Sequence, residues 1–547
     1  LSGINGGTSG GINGGINGGS GDIFKSMTLV MLATMLSRVL GFFREMAIAY
    51  RFGATMETDA YLVAILLPTI LFYAFSDALK NTFITVFASL RKDESAPYFF
   101  NTLALYLLLA LLAIVLLGII FAPALVFVLA PGFRGDVFDL TVGLMRILIP
   151  GILFMGLAGL ATGFLHSHHR FFIPAMVNVP HNAIIILSAI FLGLNYGIAG
   201  LAWGSLLAVA SQLLIQLPSL RRIPFTFRRG LSFRHPALQK IFALLPAILL
   251  SSAVLELKHL LDRLFASFLA PGSIAALNYA ERIYVLPQGI FATAVIIVLY
   301  PTLVELLNDK KMDAFTAQIS RGVSLLFFIL LPISAGLIFL RRPLVEFIFQ
   351  RGAFDAAATD LTAYALFFYT PGLVGFALHY FCNRIYFALQ EVKTLAWVNV
   401  VMVSANAVFN ILLMPLLGHG GIALGTSLAF TLGSLSLFAI FTRRLGLSFA
   451  ELLLKPFYRS ALATAVMCSF LALYYYLWTG PLELPFAGPA VIASASLLGA
   501  GVYFLTAYLL RFREMGLALE LLRGLLGRDR AKDKDKDRDK DKDGPSF

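Results

Sequence analysis

Charge is what this sequence has least of. Only 13% of its 547 residues are Asp, Glu, Lys or Arg, against 59% hydrophobic, and the mean hydropathy is +0.84. A soluble domain carries about 25% charged residues, so the polar surface that would keep a chain of this length in water is missing, and the composition reads as an integral membrane protein. Cysteine is nearly absent too. Cys382 and Cys468 both lie inside apolar runs, which excludes a disulfide framework and a thiolate metal knuckle. No G-x-x-x-x-G-K-[ST], H-E-x-x-H or G-x-S-x-G occurs, which argues against an ATPase, a zinc protease or a serine hydrolase; the chain reads as no enzyme. The apolar runs are continuous rather than alternating, which excludes a β-barrel.

What is present is a series of long apolar segments. Residues 1–21 repeat GINGG and read as an added flexible leader, set aside from the fold. From Arg528 to Asp543, 8 basic and 7 acidic residues alternate with no apolar face, so residues 513–547 read as an amphipathic segment followed by a disordered, nearly neutral tail. Between these ends, fourteen transmembrane helices are expected near 26–49, 58–88, 101–130, 140–165, 173–194, 199–219, 240–270, 275–303, 321–340, 359–388, 395–416, 421–442, 458–479 and 487–510. An N-terminus in the cytoplasm places 17 basic residues on that side, Arg221 to Lys240 among them, against Arg51, Arg134, Arg341, Arg342 and Arg351 opposite. The positive-inside rule therefore puts both termini in the cytoplasm. The cluster Arg221, Arg222, Arg228, Arg229 and Arg234 reads as a headgroup-facing rim, not a nucleic-acid site, because no soluble domain presents it.

The chain also repeats itself. Arg44, Gly53 and Pro68 align with Arg263, Gly272 and Pro287 at an offset of 219, and Pro150-Gly151, Val177-Asn178-Val179 and Gly204 align with Pro371-Gly372, Val398-Asn399-Val400 and Gly425 at 221. Six helices per copy give both copies the same orientation, as in parallel-repeat transporters whose substrate site lies between the halves. The expected architecture is thus all-α: an N-lobe over 22–220, a C-lobe over 221–445, and two extra helices over 446–512. Those two helices could form a lipid-facing groove or simply stabilise the bundle.

Ionisable residues inside spans are functional candidates, because an Arg at mid-bilayer costs about 2.5–3.5 kcal/mol on insertion scales. The first helix carries Arg38, Arg44 and Glu45, with Gly41 permitting a bend between them. With Arg263 and Arg282 they would make a basic chamber suited to a diphosphate, since guanidinium donates bidentately to phosphate oxygens. The bland alternative pairs Arg44 with Glu45 or Asp59, and Arg282 with Glu281. The seventh segment holds Lys258 and Asp262 at i, i+4, where an ion pair is the plain reading. Alternatively, Asp262 with Asn406, Asn410 and Thr426 offers hard oxygen ligands to a monovalent cation. His166, His168 and His169 read as headgroup-level packing rather than a metal site.

The stretch Ser37-Arg38-Val39-Leu40-Gly41-Phe42-Phe43-Arg44-Glu45, then Phe52-Gly53-Ala54, Thr58-Asp59-Ala60 and Leu67-Pro68, resembles the opening signature of the MurJ/MviN lipid II flippases of the multidrug/oligosaccharidyl-lipid/polysaccharide (MOP) exporter superfamily. Tyr279-Ala280-Glu281-Arg282, Gln350-Arg351-Gly352-Ala353-Phe354 and Tyr386 through Thr394 agree, and the likeness spans about residues 23–515. The resemblance implies two six-helix lobes around a cationic cavity, and a final helix pair that holds a polyprenyl tail. It also implies alternating access that carries lipid II, or another polyprenyl-diphosphate glycan, from the cytoplasmic to the periplasmic leaflet of a bacterial inner membrane, by a monomer among membrane lipids. By motif position, the substrate contacts fall on Ser37, Arg38, Arg44, Asp59 and Arg282. The sodium site described for some members falls on Asp262, Asn406, Asn410 and Thr426, with Asn410 where an Asp is expected. No organic cofactor is implied; coupling would draw on sodium or the membrane potential. Phe72 stands where the family has a cavity Arg and Val285 where it often has an acid, and Lys80 or Arg263 is the candidate to restore the charge. A cation-coupled small-molecule antiporter is the reading from another class, and the cavity arginines oppose it.

Overall fold

In hydrocarbon every backbone amide must find its partner inside its own segment or in a closed barrel, and this chain meets the requirement with helices. The computed structural model describes residues 19–70, 96–221, 256–479, 488–512 and 514–516, and every regular element among these is helical. Lys80, Phe72, the basic residues from Arg222 to Lys240, the leader to residue 18 and the tail from residue 517 lie outside the described residues.

Ten described helices are long and apolar enough to cross a membrane. Fourteen spans were expected; one pair is merged into a single helical run, and others are described only in part. The fifth and sixth segments form one helical run, Phe172–Arg221, reversed internally at Gly197 (φ 57°, ψ −145°). Of the second and seventh, only residues 56–70 and 256–270 are described. The first is a 34-residue helix, Gly19–Phe52, with Arg38, Arg44, Glu45 and Arg51 along it.

The backbone repeats as the sequence does. Gly53 and Gly272 both have positive φ, as do Gly197 and Gly418, and even the non-glycine pair His169 (58°) and Gln390 (59°). Pro150 separates helix Asp136–Leu148 from Gly151–Ser167, and Pro371 sits in a 3₁₀ turn, Thr370–Gly372, between Ala356–Tyr369 and Leu373–Ala388. A proline removes one helical donor and leaves a carbonyl four residues earlier without its partner. At Pro371 the Ser427 hydroxyl serves the nearby carbonyls of Phe368 (2.7 Å) and Tyr369 (2.9 Å). Pro332 orphans the Phe328 carbonyl, and the Tyr503 hydroxyl donates to it at 2.7 Å.

That last bond also anchors the helices beyond the duplication. Lys455–Thr479 and Gly488–Leu509 pack on Met312–Phe349 through Phe328, Ala463, Met467, Leu471, Ala495, Tyr503 and Ala507. The chain divides into two compact units, one of residues up to Ala275 with Arg351–Phe354, the other of Ala276–Gln350 and Asp355 onward. The division departs from the copy boundary near 220: residues 256–275 group with the first copy.

Candidate functional site

Arg44 faces the inside of the first unit because its helix meets Asn178–Leu187. Its Nη2 donates to Glu45 Oε1 at 2.6 Å and its Nη1 to Asn182 Oδ1 at 3.2 Å. Asn182 Nδ2 in turn donates to the Ser37 carbonyl at 3.1 Å, while the Ser37 hydroxyl back-bonds to Ala33 O at 2.8 Å. Glu45 is buried and the Arg44 side chain keeps 22% exposure, so the guanidinium is fixed from behind and still reaches open space. Arg38, about a third of a turn round the helix from Arg44, is exposed. The expected Arg44–Glu45 pair is therefore present, and it orients the arginine rather than burying it. Asn182 carried no sequence signal: it is uncharged and 138 residues from its partner.

Asp59 is used differently from a cavity ligand. Only 3% exposed, its carboxylate accepts from the amides of Gly272 (2.6 Å) and Ala275 (2.7 Å). These are donors that the first turn of a helix leaves unpaired, so a carboxylate is favoured there by both hydrogen bonding and the helix dipole. Arg263, at the position aligned with Arg44, donates through Nη1 to the Leu62 carbonyl. The loops around this point interlock. Gly132 N donates to Ser267 Oγ at 3.0 Å and Ala353 N to Tyr50 O at 2.8 Å. At Gly272, in left-handed conformation, a Cβ would fall 2.3 Å from the Ala54 carbonyl oxygen; at its aligned partner Gly53, 2.4 Å from that of Ala353. Only glycine fits either place.

The remaining candidates divide between the units. Arg282, in the second unit, is exposed on helix Ser273–Pro287. Asp262, in the first, is buried against Lys258, Nζ to Oδ2 3.0 Å, the plain i, i+4 pair. Asn406, Asn410 and Thr426 come together in the second unit, with Asn406 Nδ2 donating to Thr426 Oγ1 (3.3 Å) and Asn410 Nδ2 to Asn406 Oδ1 (3.5 Å). Among the described residues no cluster of three or more His, Cys, Asp or Glu could hold a metal. The Asp262 carboxylate, the one acid of the expected sodium set, is held by the Lys258 ammonium.

A helical chain that repeats itself, with ten described helices long and apolar enough to cross a membrane and arginines held by polar partners along them, defines a polytopic membrane protein. A sequence model described as "Lipid II flippase MurJ" matches residues 48–487. The chain belongs to that family. The lipid II flippase MurJ of Burkholderia cenocepacia is 29% identical over 507 residues, covering 90% of this chain and 98% of that one. The probable lipid II flippase MurJ of Thermotoga maritima is 30% identical over 485 residues, covering 88% and 96%. A solved structure of lipid II flippase MurJ in an inward closed conformation superposes with a TM-score of 0.76 at 27% identity, over 88% of this chain and 98% of that one. A MATE-family multidrug transporter of the MOP superfamily in an inward-facing conformation shares the fold, with a TM-score of 0.66 at 16% identity over 77% and 98%.

Proposed function

We propose that this protein translocates lipid II, the polyprenyl-diphosphate-linked peptidoglycan precursor, from the cytoplasmic to the periplasmic leaflet of a bacterial inner membrane, working as a monomer with both termini in the cytoplasm. Transport, not covalent catalysis, is its activity. The observation that carries the reading is Arg44: a guanidinium inside a membrane helix, locked by Glu45 and Asn182 yet partly open, in a chain of the MurJ family. Such a group is costly in a membrane unless it is paired or serves a ligand, and Arg44 keeps part of its surface open beyond its pair. A diphosphate matches it in charge and in geometry. In this reading Arg38, Arg44 and Arg282 bind the headgroup while the binding region is open to the cytoplasm, with Lys80 and Arg263 adding charge, and the helices Lys455–Thr479 and Gly488–Leu509 guide the polyprenyl tail. Rocking of the two copies then exposes the headgroup to the other leaflet.

Asp59, on this account, stabilises the state in which the loops around Gly272 are closed, and contacts substrate only when they part. No organic cofactor takes part, and the membrane potential supplies the driving force. The Lys258–Asp262 pair supports this, since the ammonium already occupies the place a sodium ion would take at Asp262. Replacing sodium by choline should leave translocation into vesicles unchanged; dependence on sodium would refute that part. Phe72, where the family has an arginine, supports a second reading in which the glycan differs from that of lipid II. Native mass spectrometry of the purified protein decides between them: a co-purified mass equal to lipid II supports the first, a different lipid-linked sugar the second, and neither form of polyprenyl glycan would count against both.

A further inference from the structure

One interhelical turn occurs twice in the chain with the same backbone, an arginine at its end in the first copy and an acid in the second. His169 N donates to His166 O (3.0 Å) and Arg170 N to Leu165 O (2.9 Å); 221 residues later Gln390 N donates to Phe387 O (3.1 Å) and Glu391 N to Tyr386 O (3.0 Å). The side chains have parted. In the second copy the acid Glu391 accepts from Arg444 and from the Thr394 hydroxyl, so the turn is neutralised within the protein. In the first copy the aligned positions are His166, His168, His169 and Arg170, followed by Phe171 and Phe172.

His169, Arg170 and both phenylalanines are exposed, Phe171 at 45% and Phe172 at 42%. The His166 ring lies 5.1 Å from that of Phe171, which holds the phenyl beside the basic groups. Arg170 Nη1 donates to Ser219 O at 3.2 Å, and this draws in the end of helix Leu217–Arg221 with the exposed Arg221. The segment supplies no counter-charge of its own: between Asp139 and Glu256 the sequence contains no acidic residue.

We propose that this turn, with Arg170 and Arg221 as its charged groups, is a binding site for the phosphate of an anionic phospholipid in the leaflet it faces. Guanidinium and imidazole N–H groups suit phosphate oxygens, and basic residues at a bilayer surface favour anionic lipid. Exposed phenyl rings next to them belong at the boundary of headgroup and acyl chain. The second copy, which carries the paired acid Glu391 at the position of Arg170, serves as an internal control.

The test is native mass spectrometry of the full chain in detergent, titrated with phosphatidylglycerol or with zwitterionic phosphatidylcholine. The double variant Arg170→Ala/Arg221→Ala should bind phosphatidylglycerol at its tightest site about thirtyfold more weakly, because each basic residue near an anionic surface contributes roughly a factor of five. Phosphatidylcholine binding should not change, and Arg444→Ala should alter neither lipid. The charge-preserving pair Arg170→Lys/Arg221→Lys should stay within about threefold of the native protein, which separates lost charge from lost folding. Unchanged phosphatidylglycerol binding in the alanine pair, or an equal fall for both lipids, overturns the proposal.

Discussion

Arg44 and Arg263 occupy the same place in the two copies and are held in different ways. Arg44 is gripped by two side chains, Glu45 and Asn182, and its outer face stays partly open. The aligned positions in the second copy are Leu264 and Val403, which can accept no hydrogen bond, and Arg263 donates instead to the backbone carbonyl of Leu62. Duplication kept the charge and changed its partners. Arg44 is held by side chains with part of its surface open, whereas Arg263, bound to a carbonyl of another helix, ties two segments together. The same divergence separates Asp59, which accepts two backbone amides, from its aligned residue Asn278.

The sharpest way to break this comparison is at the interlocked loops. Gly272→Leu places side-chain atoms against the Ala54 carbonyl in a left-handed backbone, so the closed arrangement should be lost at a cost of several times the ~1–3 kcal/mol typical of overpacking. Cysteines at Ala54 and Ser273 should cross-link while Gly272 is kept, and should no longer do so once Gly272 is leucine. Next is Asp59→Asn, which keeps the shape but removes the charge facing two amides and should destabilise the closed loops by about 1–3 kcal/mol. Its transport should fall through a changed balance of states, while binding of a soluble diphosphate to the protein changes by less than about twofold; a large binding loss would make Asp59 a substrate ligand.

A smaller effect is expected at Asn182. Asn182→Ala removes one bond to Arg44 and one to the Ser37 carbonyl, each worth about 1 kcal/mol. Diphosphate affinity should drop about five- to tenfold with the melting temperature shifted by only a few degrees. The mirror change, Val403→Asn, should leave affinity as it is, since Arg263 already has its carbonyl. If both substitutions act alike, the contrast between the copies is wrong.

Much of this was readable from residue order. Apolar runs bounded by Gly, Pro and basic residues located the helices, since span length is fixed by bilayer thickness. The repeated Pro150/Pro371 and Gly53/Gly272 marked the places where both backbones bend. The exposed arginines followed from the rarity of charge in such segments. Less readable were the relations set by packing alone. The family resemblance places Asp59 among the substrate contacts by its motif position, yet its oxygens meet amides more than 200 residues away. Asn182 gave no signal because a single amide in an apolar helix is common, and the Tyr503 bond to the Phe328 carbonyl could not be foreseen from Pro332 by itself.

The central claim is that the anchored arginines carry a lipid-linked diphosphate. Its most direct measurement is growth of a bacterium depleted of its own lipid II flippase and supplied with this protein. Wild type should restore growth, and Arg44→Ala and Arg282→Ala should each abolish rescue while inserting in the membrane at normal levels. Full rescue by both variants would contradict the account.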